Sequence, residues 1–148
     1  MPSELHAHLG YWLRAVSNAV SQGFARAVEA EGVTVAEWVV LRTLYDVESI
    51  APTQLAQRIG MTKSVISKLA DRLVAKKLIA RLADPRDRRA QSLALQPAGR
   101  ALVPKLAELA DRNDAAFFGT LASDERCQLE GLLRRIVAER GLKSTPTD

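Results

Sequence analysis

A chain of 148 residues with 47% hydrophobic residues can bury a real core and is too apolar for a disordered polymer. No apolar run approaches the roughly 20 residues of a membrane span. The start around Glu4, His6 and His8 lacks the basic-then-apolar pattern of a secretory leader, and a single cysteine forms no internal disulfide, so a cytoplasmic protein without a membrane partner is expected. The net charge of +4 is unevenly laid: residues 53–100 hold 11 Lys and Arg against 3 Asp and Glu, net +8, and the rest is net −4.

In chain order, Leu5, Leu9, Trp12, Leu13, Val16, Val20, Phe24 and Val28 recur at three- and four-residue steps. They predict one long helix over about 4–31, stopped at Gly32. Thr34-Val35-Ala36-Glu37 reads as a capping box, in which hydroxyl and carboxylate each satisfy a free backbone N–H. The helix it opens carries Trp38, Val39, Leu41, Leu44 and Tyr45. Pro52 suits a first helical position, and Gly60 ends the short helix that follows. Thr62 caps a helix over about 63–77. Val65, Ile66, Leu69, Leu73 and Val74 form its apolar stripe, and Lys63, Ser64, Ser67, Lys68 and Asp71 its polar face. Two strand-length segments, 78–82 and 91–96, flank Asp84-Pro85-Arg86-Asp87-Arg88-Arg89, which predicts a hairpin with a cationic tip. Pro97 opens a helix to about Leu121. Ser123 is the expected cap of the last helix, whose stripe is Leu129, Leu132, Leu133, Ile136 and Val137. The tail over 143–148 is expected to be disordered.

Two helices about a tight break, followed by a basic hairpin, make a winged helix-turn-helix. Thr62, Lys63, Ser64, Ser67 and Lys68 would enter a DNA major groove, where short hydroxyls permit close approach and lysines reach base edges or phosphates. The wing arginines suit the narrow minor groove. Arg72 and Arg81 are phosphate contacts or solvated charges. The outer helices carry more apolar surface than such a lobe can cover. A homodimer through Leu5, Leu9, Leu129, Leu132, Leu133 and Ile136 would bury it and set two recognition helices roughly 34 Å apart, matching a pseudo-palindromic operator in double-stranded DNA. No phosphate loop, nucleophile elbow or metalloprotease motif is present, so no enzyme, cofactor or metal is expected. An activator, or a winged helix that binds protein, are the alternatives; the charged wing weighs against the latter.

The run from Met61 to Leu69, then Asp71-Arg72-Leu73, the Asp84–Arg89 loop and Leu95-Gln96-Pro97-Ala98-Gly99 closely resembles the MarR family of bacterial transcriptional regulators. The resemblance covers nearly the whole chain. It implies a mainly α fold with a small β-hairpin wing: a winged helix-turn-helix over about 33–96 flanked by dimerisation helices over about 4–31 and 97–141. It also implies a repressor released from DNA by a small molecule or by oxidation. Arg89 would enter the minor groove, oriented by Asp87, which otherwise forms the turn; Arg86 and Arg88 would touch phosphates. His8, Tyr11, Trp12, Trp38 and Arg42 are candidates for an effector cleft that would suit an aromatic carboxylate or phenolate, although Trp12 and Trp38 are more often core anchors. Lys77, Ala51 and Gln96 depart from the family's usual glycine, cap and threonine. The first helix lacks the cysteine of redox-sensing relatives, and Cys127 is expected to be a packed residue.

Overall fold

The computed structural model describes residues 1–84 and 87–143, with residues 84 and 87–89 described by their backbone alone. Arg86, the side chains of Asp87, Arg88 and Arg89, and the tail over 144–148 lie outside the described residues. A 3-10 turn, Leu5–Ala7, precedes α1 (Leu9–Glu29), α2 (Val35–Tyr45), α3 (Pro52–Ile59) and α4 (Lys63–Ala75). The hairpin strands β1 (Ile79–Asp84) and β2 (Asp87–Leu95) follow, then α5 (Pro97–Phe118) and α6 (Ser123–Arg140). This is the mainly α, winged helix-turn-helix architecture that the residues predict.

The first helix begins later than expected. A continuous helix would offer the His6 carbonyl to the Gly10 amide. Instead the Trp12 indole N–H donates to that carbonyl at 2.8 Å, and His8 stays extended. The capping box forms as expected: Glu37 N–H donates to Thr34 Oγ1 at 3.1 Å and Thr34 N–H to Glu37 Oε1 at 3.2 Å. Ala51 and Gln96 cap α3 and α5 with no side-chain hydrogen bond, so each helix lacks one anchor at its start. Ser123 is the first residue of α6 and Ala122 its cap, because Glu125 reaches back to the Ala122 N–H at 2.8 Å.

Leu41, Leu44, Leu55, Ile66 and Leu73 form the centre of the core, where α2 packs beneath α3 and α4. Ile79 and Leu93 close it from the hairpin, and Val103 and Leu106 from α5. The strands pair antiparallel from Ile79 with Leu95 to Ala83 with Gln91. Ile50 adds a bridge to Leu93, each N–H donating to the other's carbonyl, at 3.0 and 2.8 Å. Local pattern gave no sign of it, since one paired residue has no alternation. At the other end of β1, the Gln96 N–H donates to the Leu78 carbonyl at 2.9 Å. A Cβ on Gly99 would overlap that carbonyl oxygen, so glycine is what lets α5 start against the hairpin.

Candidate nucleic-acid interface

The helix-turn-helix is built by two local devices. Gly60 takes φ +80° and ends α3, and the Met61 N–H bonds the Ala56 carbonyl at 3.0 Å. Two residues on, Thr62 Oγ1 accepts from the Val65 N–H at 3.3 Å and starts α4. Ile66, Leu69, Ala70 and Leu73 then turn inward. Lys63, Ser64, Ser67, Lys68 and Arg72 remain exposed on the other side, as expected. Among the described residues none of these three cations is paired with a carboxylate. Two stripe residues depart from expectation: Val65 and Val74 are 41% and 37% exposed. The inward arc is narrower than five apolar residues, and Ala70 takes a place in it.

Two contacts orient this helix. Arg81 on β1 donates to Asp71 Oδ1 at 2.6 Å, tying the base of the wing to the middle of α4. At the C-terminal end, Lys76 Nζ donates to both carboxylate oxygens of Glu37, at 2.7 and 3.0 Å, and to the Gly32 carbonyl at 2.8 Å. The Glu37 side chain is 1% exposed, so its charge is matched inside the protein. Lys77 ends the turn at φ +62°. The expected recognition helix, drawn to Lys77, therefore stops at Ala75. Neither contact was legible in the sequence: the Glu37–Lys76 pair spans 39 residues.

Arg86 and the side chains of Asp87, Arg88 and Arg89, expected at the wing tip, lie outside the described residues.

The five effector candidates do not converge within one chain. Tyr11 and Trp12 stack edge-on at 5.3 Å with His6 beside them, at the start of α1. Trp38 instead meets Phe24 at 6.2 Å. Phe24 lies twelve residues along α1 from Trp12, about 18 Å of helix. Arg42 pairs with Asp46 at 2.8 Å and sits over the Tyr45 ring. A cleft of about 280 Å³ does open between α1, α2 and α5, lined by Val20, Phe24, Val35, Trp38 and Val39, with Ser21, Asn113 and Asp114 as its polar residues. Phe24 and Asn113 were not anticipated as lining residues, because only the crossing of α1 and α5 brings them together.

Of the residues expected at a dimer interface, Leu5, Leu9, Leu132, Leu133 and Ile136 are exposed in the single chain, and Leu129 is half-buried. Cys127, expected to be packed, is exposed, because α6 buries no residue against its own chain.

These features agree with comparison to known proteins. Residues 31–90 match the MarR family. A Thauera aromatica protein assigned as transcriptional regulatory protein for the hcr operon is 32% identical over 86% of this chain and 78% of its own. The structure of Bordetella bronchiseptica BpsR, solved to explain how 6-hydroxynicotinic acid regulates its DNA binding, superposes with a TM-score of 0.78 at 29% identity, over 92% of this chain and 97% of that one. The Staphylococcus aureus MepR–DNA complex shares the fold, with a TM-score of 0.79 at 23% identity over 89% and 98% of the two chains. The relatives are regulators, not enzymes, and no described helix is long and apolar enough to cross a membrane. A winged helix whose α4 exposes lysines and serines, joined to these similarities, makes this chain a transcriptional regulator of the MarR family.

Proposed function

We propose that the protein binds a pseudo-palindromic operator as a homodimer, represses transcription there, and leaves the DNA when a small aromatic molecule occupies the cleft beside Trp38. The exposed Lys63–Arg72 face of α4 carries this reading. Its short hydroxyls admit a groove wall, and its cations, which pair with no carboxylate among the described residues, are placed to meet phosphates. Arg89 with Asp87 would serve the minor groove, and Arg86 and Arg88 the phosphates, as the family resemblance implies. For the effector, the support is the mainly apolar cleft, whose polar lining residues are Ser21, Asn113 and Asp114, and the fact that BpsR answers to 6-hydroxynicotinic acid.

The test is a salt series of binding to the DNA upstream of the protein's own gene, with random DNA as competitor. Each phosphate contact adds about −0.9 to the slope of log K against log salt. Tight, competitor-resistant binding with a slope of several units is the expected result. Binding equal to that of random DNA would sink the operator reading. Aromatic carboxylates titrated into the complex should then release the DNA.

A further inference from the structure

Val65 is an apolar residue on an otherwise polar face. It is the third residue of α4 and is 41% exposed, while Ile66 beside it is fully buried. Its backbone position is pinned by the Thr62 cap at 3.3 Å. Its branched Cβ leaves essentially one rotamer in a helix, so its methyls point in a defined direction. Along the same helical stripe, three and seven residues on, stand Lys68 and Arg72, both exposed. An apolar spot bounded by cations makes a poor start to a protein contact, which needs contiguous apolar area. Other exposed aliphatics of this lobe are placed differently. Val74 lies with Ile79 and Ala80 along the groove under the hairpin, and Leu82 is on β1 facing Ser92 across the ladder.

The apolar feature of a major groove is the 5-methyl group of thymine. We propose that Val65 is a specificity-determining residue that packs on that methyl in each half-site, while Lys68 and Arg72 hold the flanking phosphates. This rests on the reading of α4 as the DNA-reading helix. Val65→Ser would leave the cationic contacts intact and replace the apolar contact to thymine with a hydroxyl.

The full chain is first used to select its site from a random duplex pool. Each thymine of the selected site is then replaced by deoxyuridine, which removes the methyl alone. At one position per half-site, loss of the methyl should weaken binding of the unaltered protein about fourfold, the ratio expected for one buried methyl group. Val65→Ser should show no such penalty at that position. Because Val65 is exposed, the variant should fold, and an unchanged melting temperature verifies this. Equal deoxyuridine penalties for both proteins at every position, or none for the unaltered protein, would overturn the role of Val65. A chain that selects no sequence would overturn the operator reading on which the role depends, a result distinct from the other two.

Discussion

Lys77 holds φ at +62°, the one non-glycine residue with positive φ among those described. Left-handed geometry costs an L-residue with a Cβ on the order of 1–2 kcal/mol. The chain turns there because the Leu78 N–H closes onto the Leu73 carbonyl at 3.0 Å and Ile79 must enter the core. Lys77→Gly should relieve that strain and lose about 0.4–1 kcal/mol to the freer unfolded chain, leaving a net gain of about 0.5–1 kcal/mol. Thermal denaturation followed by circular dichroism should show a rise of about 1–4 °C; a fall would show that Lys77 makes a contact worth more than its strain. At this scale the sequence was legible where one side chain serves its own neighbours. Gly60 and the Thr34–Glu37 box could be placed that way. Val65 could not, because periodicity marks which residues are apolar and leaves open how wide an arc the neighbouring helices cover.

Between elements, the junction at Glu37 ties three chain segments. The Gly32 turn, the start of α2 and the end of α4 meet on one ammonium group. Removing one partner of a buried pair leaves a charge without compensation, at a cost of about 3–5 kcal/mol. Lys76 is 39% exposed, so water can replace part of its contact, and Lys76→Met should cost about 3 kcal/mol or somewhat less. Glu37→Gln keeps an acceptor for the Thr34 N–H and removes the charge. The double variant Glu37→Gln/Lys76→Met should therefore be more stable in urea denaturation than Lys76→Met alone. Strictly additive losses would mean that the pair does not couple. The same junction explains a limit of the sequence reading. Helices and their caps are local, whereas the Lys76–Glu37 pair, the Arg81–Asp71 pair and the Ile50 bridge depend on how helices cross, and no spacing encodes that. The cleft beside Trp38 is likewise a product of assembly. Trp38 was read from sequence, but its companions Phe24 and Asn113 come from helices that only the fold brings together.

For the whole molecule, the distribution of burial asks for a second copy. Among the described residues α6 buries none over its 18 residues, and α1 buries Val28 alone. An isolated helix of that length is marginal in water, since helices in proteins are held mainly by packing an apolar face. Scattered exposed leucines need no explanation, but Leu132, Leu133, Ile136 and Val137 are 39–56% exposed within two turns of one helix, and Leu5 in the turn before α1 and Leu9, Trp12, Leu13 and Val16 at its start are 46–80% exposed. A dimer through these two faces would supply the missing packing. It would also couple two recognition helices, so the second half-site is bound at the effective concentration set by the first. Leu132→Asp/Ile136→Asp removes no contact from the described core, so the winged lobe should stay folded. Sedimentation equilibrium should show a monomer at concentrations where the unaltered protein is dimeric, and circular dichroism should show a loss of helix from α6. Operator affinity should fall by about 10²-fold or more, toward that of one half-site. A variant that stays dimeric with full operator affinity would place the interface elsewhere and leave the bare face of α6 without its proposed partner.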